Sequence, residues 1–189
     1  TDLLNQKKQD IYADFDKLEV FLNSVLDYTK PIDLSPTPTH LFSLVEQVIS
    51  HYRKKTYKKT IIFANQIDSN QPLLHLDKYY FFEVLDNLII NSIYAIEVND
   101  HIQEGIIRIG SSVIQSNGTT QHIISIEDNG CGIENNKLKL IFKPHFTTKK
   151  THGNGRGLYI VQRILDKHKA TVTVDSRFNK GTIVKIYIP

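Results

Sequence analysis

The chain has 189 residues, 40% hydrophobic and 23% charged, with a formal net charge of +3, which suits one globular domain with a real core plus an appendage. The basic run Arg53-Lys54-Lys55-Thr56-Tyr57-Lys58-Lys59 has no aromatic platform or wider basic stripe beside it, so it reads as a solvated turn and not as a nucleic-acid surface. The single cysteine, Cys131, excludes an intrachain disulfide and fits a reducing compartment; no apolar run approaches the ~20 residues of a membrane span, and no signal peptide is present.

Residues 1–30 read as one long helix. Leu4, Ile11, Phe15, Leu18, Leu22 and Val25 fall on steps of three and four, a bundle or coiled-coil seam that needs a partner, and a terminal helix of this length favours a homodimer. Pro31 stops it, and three prolines within residues 31–39 read as a stiff linker, so the domain boundary is placed there and a second domain over 40–189. The first residue is Thr1 and the chain contains no methionine, which suggests a piece of something longer.

Thr39 is the expected cap of a helix running to about His51, with Leu41, Leu44, Val45, Val48 and Ile49 on its apolar face. Residues 60–64 are a strand candidate. Asp77 is the expected cap of a helix from Lys78 to about Val98, whose apolar face is Val84, Leu85, Leu88, Ile89, Ile93 and Ile96. Glu83, Asn87 and Asn91 share a stripe on its other side. Asn is a mediocre helix former, so two of them one turn apart suggest a role: an amide oxygen can ligate Mg²⁺ without adding negative charge beside a triphosphate.

Further strands are expected over 106–114, 123–127, 170–175 and 182–188, with hairpin turns at 116–118 and 178–181. The order suggests an α+β fold: a two-layer α/β sandwich whose mixed, mostly antiparallel sheet is covered by helices on one face, preceded by the long N-terminal helix.

Residues 128–158 organise the rest. Asp128 is delivered by a strand end beside Gly130 and Gly132; as a carboxylate it only accepts hydrogen bonds, which can select an exocyclic amine such as that of adenine. An ordinary Asp-Asn-Gly turn is the plain alternative. Cys131 fits a small side chain near a ligand better than a nucleophile, since nothing in the sequence suggests an activating base. Gly153, Gly155 and Gly157 open a helix whose Leu158, Val161, Ile164 and Leu165 form one face, and the unpaired N–H groups at such a helix start suit a phosphate. Taken alone, that glycine run is equally an ordinary loop.

Taken together, these segments resemble the catalytic ATP-binding domain of sensor histidine kinases, within the ATPase superfamily that includes gyrase, mismatch-repair and chaperone ATPases. Asn87-Leu88-Ile89-Ile90-Asn91-Ser92-Ile93-Tyr94-Ala95 is similar to that family's N box and Asp128-Asn129-Gly130-Cys131-Gly132-Ile133 to its first glycine box. Residues 141–149 resemble its phenylalanine box, 153–158 its second glycine box, and Gly181-Thr182 its last short motif. The resemblance implies that Asn91, with Asn87, coordinates Mg²⁺ on the phosphates and that Asp128 accepts from the adenine amine, with Gly130, Gly132, Ile133 and Ala95 around the base. It further implies a mobile lid over 134–152 that carries Thr147, with Lys149 and Arg156 available to phosphate oxygens. The amides of Gly155 to Leu158, Gly157 among them, would hold the β/γ end, with Gly153 and Asn154 also nucleotide-binding, and Thr182 would close the adenine side.

In two places the chain departs from the family: Arg156 replaces an aliphatic residue and His145 an aromatic one. The implied activity is protein histidine kinase, transferring the γ-phosphoryl of Mg·ATP. The implied partners are ATP or ADP, a phosphoacceptor helix of the same protein and a response regulator, with no nucleic acid and a cytoplasmic setting open to membrane anchoring elsewhere in the full-length protein. None of the eight histidines (40, 51, 75, 101, 122, 145, 152, 168) is followed by Asp or Glu, so residues 1–30 resemble only the second dimerisation helix and the acceptor histidine is expected outside this stretch. Two alternatives stand beside this reading: a hydrolase register in which Glu83 activates water, and a nucleotide-sensing module that performs no transfer.

Overall fold

The computed structural model describes Lys7, Tyr12 and residues 31–116, 118–144, 146, 147 and 155–189. The helix expected over 1–30, and the dimer built on it, otherwise lie outside the described residues. The chain divides into two units, Thr1–Asp33 and Leu34–Pro189, and the sheet with its helices belongs to the second.

Five strands form the main sheet: β2 (Thr60–Asn65), β4 (Glu104–Ser116), β5 (Thr119–Asp128), β6 (Thr171–Arg177) and β7 (Gly181–Ile188), in the order β2-β4-β5-β7-β6. β2 runs parallel to β4 and every other pairing is antiparallel, the mixed arrangement expected. Both hairpin turns form where the sequence signals them. β4 and β5 pair as far as Ser116 and Thr119, with Gly118 at φ 75°, and β6 and β7 close with Asn179 at φ 59°, a left-handed conformation Asn tolerates.

Three helices of more than two turns cover one face. α1 (Leu41–Arg53) contacts β2, α2 (Lys78–Glu97) contacts β4 and β5, and α4 (Gly157–Lys167) contacts β6; α3 (Asn135–Leu138) is a single turn. The strand alternation fixes which face they cover. Ile107, Ile109, Ile124 and Ile126 point into the core, while the interleaved Arg108 and Glu127 form a half-exposed ion pair at 3.5 Å on the opposite face. Against those isoleucines lie the apolar faces of α1 (Leu41, Leu44, Val45, Val48, Ile49), α2 (Val84, Leu85, Leu88, Ile89, Ile93, Ile96) and α4 (Val161, Ile164, Leu165), all buried.

Two expectations at the start of this unit need correction. Residues 37–39, within the stretch read as linker, form strand β1 (Thr37–Thr39) and pair antiparallel with β3 (Leu74–Leu76), neither of which the sequence flagged. Thr39 is therefore not the cap of α1: its side chain is buried and its hydroxyl donates to Thr37 O at 2.9 Å. His40 is the cap, its Nδ1 accepting from Ser43 N at 3.4 Å. Asp77 caps α2 as expected. Its Oδ1 accepts from Tyr79 N at 3.0 Å and Tyr80 N at 3.1 Å, and its Oδ2 accepts from Ser35 N at 2.7 Å.

Candidate nucleotide-binding site

The alternation that buries Ile124 and Ile126 on β5 carries on to Asp128, so the strand delivers a carboxylate, 7% exposed, onto the core side beneath α2. Its Oδ1 accepts from Gly130 N at 2.9 Å and its Oδ2 accepts from the Ser92 hydroxyl at 2.9 Å. Burial pushes the carboxyl up to about 6, against the lowering effect of hydrogen bonds from Gly130, Ser92 and Thr182. The group is thus an acceptor-only carboxylate at neutral pH and loses that character just below it.

The loop after Asp128 is fastened at several points. Asn129 Oδ1 accepts from Ile106 N at 2.8 Å and its Nδ2 donates to Glu104 O at 3.0 Å, pinning the loop to β4. Cys131 N donates to Ala95 O on α2 at 2.9 Å, and Asn179 N donates to Cys131 O at 2.7 Å. Ile133 N donates to Ser176 Oγ at 2.8 Å. Gly132 has φ 65°, and a Cβ there would stand 2.1 Å from Arg177 O, so only glycine lets the loop lie against the β6–β7 hairpin. Burial, then the charge of Asp128, pushes the Cys131 thiol up, away from a thiolate nucleophile.

Thr182 is the register partner of Asp128 on β7 and, like Ser176 on β6, is buried. Ser176 Oγ donates to Gly181 O at 2.9 Å and lies 3.0 Å from Thr182 Oγ1. On the opposite wall, α4 opens at Gly157 with no side-chain cap from Arg156, so no side chain of the capping residue takes up the N–H groups of its first turn. Asn87 Nδ2 donates to Glu83 O at 2.8 Å, which turns its Oδ1 toward Gly157.

Between these walls lies a cavity of about 370 Å³. Its lining includes Asn87, Asn91, Ala95, Asp128, Gly132, Ile133, Thr147, Gly155, Arg156, Gly157, Leu158 and Thr182, twelve of the residues singled out from the sequence. Gly130 packs behind the wall instead, where a Cβ would meet Ala95 Cβ at 2.6 Å. Lys149, Gly153 and Asn154, with the departure His145, lie outside the described residues. Sequence reasoning missed Ser92, which lines the cavity, and Ser176, which supports it. Ser92 did carry a signal: a serine one turn from Leu88 and next to Ile93, on a face that is otherwise apolar, needs a polar partner inside the core. The rest of the wall is apolar, from Ile90, Tyr94, Ile141, Phe146, Val174 and Val184.

Residues 77–189 match the family described as histidine kinase-, DNA gyrase B-, and HSP90-like ATPase. The chain belongs to this family. Among its relatives, the signal transduction histidine-protein kinase AtoS of Escherichia coli (strain K12) is 29% identical over 179 residues, 95% of this chain and 28% of AtoS. A probable C4-dicarboxylate sensor kinase of Bacillus subtilis (strain 168) is 38% identical over 130 residues, 67% of this chain and 23% of that protein. The chain therefore spans about a quarter of the length of these relatives. The crystal structure of histidine kinase ThkA in complex with response regulator protein TrrA superposes with a TM-score of 0.72 at 27% identity, over 95% of this chain and 49% of the ThkA chain. As a member of this family the chain has its ATP-binding fold, and its α2, β5-end loop, α4 start and β7 start surround the cavity. Among the described residues no helix is long and apolar enough to cross a membrane, and no three His, Cys, Asp or Glu side chains group to hold a metal ion.

Proposed function

We propose that this chain is the catalytic region of a two-component sensor histidine kinase, binding Mg·ATP in the cavity and passing the γ-phosphoryl group to a histidine outside these 189 residues. One observation carries the reading: amide, carboxylate and glycine groups from four separate segments line a single cavity, the Asp128 carboxylate and the first residues of a helix among them. Asp128 reads the adenine amine with Thr182 beside it, and the start of α4 with Arg156 faces the phosphates. In-line phosphoryl transfer needs mainly positioning and charge neutralisation, which these groups supply.

The residues present fit magnesium in one specific respect. The side chain of Asn87 is held by its nitrogen on Glu83 O and offers its oxygen toward the start of α4, as a neutral ligand to a phosphate-borne cation must. Asn87 and Asn91 would hold the ion, which when bound neutralises phosphate charge. Glu83, the base of the hydrolase register, is not among the residues lining the cavity, which favours transfer over hydrolysis. The acceptor is a histidine helix of the same protein, residues 1–30 form a dimer contact, and a response regulator takes the phosphoryl group onward, as the pairing of ThkA with TrrA suggests.

Calorimetric titration with ATP and GTP, with and without Mg²⁺, tests the binding half, and phosphorylation of a supplied histidine-helix peptide tests transfer. ATP is expected to bind at least about tenfold more tightly than GTP, and Asn91→Ala to weaken binding mainly in the presence of Mg²⁺. Equal affinity for the two nucleotides removes the adenine assignment. Glu83→Gln is expected to leave phosphopeptide formation largely intact, whereas a natural chain that hydrolyses ATP without forming phosphopeptide, and loses that turnover in Glu83→Gln, would restore the hydrolase register.

A further inference from the structure

We propose that Ser176 is a specificity-determining positioning residue: it fixes the direction of the Thr182 hydroxyl proton, so that the base-reading end of the cavity presents only hydrogen-bond acceptors. The inference rests on the adenine reading above and adds to it why a 6-oxo purine is refused.

Ser176 Oγ has one proton and three polar neighbours. Ile133 N, at 2.8 Å, can only donate. Gly181 O, at 2.9 Å, can only accept, so the serine proton goes there. One lone pair of Ser176 then receives Ile133 N–H, and the third neighbour, Thr182 Oγ1 at 3.0 Å, must donate its own proton to the other. Each bond of this node is satisfied, as buried polar groups require, and Ser176 is 6% and Thr182 8% exposed. With its proton committed behind it, Thr182 has only lone pairs to offer the cavity that it lines.

Asp128, its register partner, is likewise an acceptor, because its carboxylate already receives Gly130 N and Ser92 Oγ and has no proton to give. Two acceptors side by side suit a 6-amino group, which carries two N–H donors. Against the carbonyl of a 6-oxo purine they set oxygen against oxygen, with a buried lone pair left unmatched on each side. A site built in this way rejects the wrong edge far more strongly than an apolar pocket can. Ser176 does not contact the base; it acts through Thr182. The same node also joins the loop carrying Gly132 and Ile133 to the β6–β7 hairpin, so the acceptors and the wall beside them are set together.

The test compares ATP with inosine triphosphate, which differs at the 6 position in having a carbonyl for the amine, by calorimetry on the whole chain. The natural sequence is expected to favour ATP by at least about a hundredfold. In Ser176→Ala the Thr182 hydroxyl is free to turn and donate, so the ATP-to-ITP ratio should fall by about tenfold or more, mainly through tighter ITP binding. Ser176→Cys places a slightly larger side chain with a weak donor there and should fall between the two. A ratio unchanged in both variants, with only the melting temperature lowered, reduces Ser176 to a structural role and overturns the proposal. A natural chain that binds ITP or GTP as well as ATP removes the adenine-amine reading itself, and this arm needs no variant to fold; selectivity for ATP that survives unchanged in both variants overturns only the role of Ser176, so the two failures are distinguishable.

Discussion

Gly157, the first residue of α4, lies so close to Asn87 that a β-carbon there would stand 2.6 Å from the Asn87 side-chain oxygen. The contact joins the helix that carries both asparagines to the one whose start we propose as the phosphate end, and its consequence can be measured. In Gly157→Ala the obstructing atom is the end of a side chain, which can rotate away, so the fold should lose only about 1 kcal/mol. The displaced amide, however, no longer offers its oxygen to the cavity. Mg·ATP affinity should fall by about tenfold while the thermal melt barely moves, and calorimetry beside a melting curve separates the two.

Gly132 and Gly118 both have positive φ, 65° and 75°, yet their surroundings differ. A Cβ at 132 would meet Arg177 O at 2.1 Å, a backbone atom that cannot swing aside, whereas at 118 nothing lies within 4 Å. Gly118→Ala should therefore cost only the left-handed conformation, about 1–2 kcal/mol. Gly132→Ala must also separate the loop from the β6–β7 hairpin and should cost several kcal/mol, with ATP binding lost alongside stability. Denaturant unfolding of both variants decides the order; a milder effect at 132 than at 118 would contradict the packing described.

Tyr52 joins α1 to α2 by donating to Asp86 Oδ1 at 2.6 Å, and burial followed by that bond pushes its phenol well above its ordinary range. Tyr52→Phe keeps the ring against Phe63 but leaves the carboxylate without its donor. A loss of about 1–2 kcal/mol by denaturant unfolding is expected, with ATP affinity unchanged, because neither residue lines the cavity.

What the sequence disclosed, and what it withheld, follows from the range of the interactions. The α1, α2 and α4 faces and the main strands were legible because apolar period and turn residues are local: Val84 to Ile96 repeat within one helix, and Asn179 with Gly181 announces its own turn. β1 and β3 were not legible, since each is three residues long and exists only by pairing with a segment nearly forty residues away. Thr39 departs from its expected role as a cap for the same reason. Its hydroxyl is drawn to Thr37 O and Leu76 O once β1 forms, and the cap passes to His40. At the site, residues within glycine and asparagine motifs could be read off, whereas Ser176 is an ordinary strand serine until folding brings Ile133 and Gly181 to it.

Asp128 sets the nucleotide site against the stability of the fold. Its carboxyl moves from 3.8 in the unfolded reference to about 6 in the native chain, chiefly by burial. Between those two pH values the native state keeps a proton that the unfolded state has released. The contribution of this group is therefore full below about pH 4, falls as pH rises through about 6, and is constant above; the loss amounts to roughly 3 kcal/mol at most. Asp128→Asn cannot ionise, so relative to the natural chain it should gain stability as pH climbs from 4 to 6 and be the more stable protein at pH 7. Its ATP affinity should nevertheless fall, because the amide offers one acceptor oxygen where the carboxylate has two. In the natural chain ATP affinity should rise as pH increases through about 6, where the carboxylate becomes an acceptor on both oxygens. Urea unfolding and ATP titration of both proteins at pH 5 and pH 7 give the four comparisons, and a variant less stable than the natural chain at pH 7 would show that burial of Asp128 is not costly.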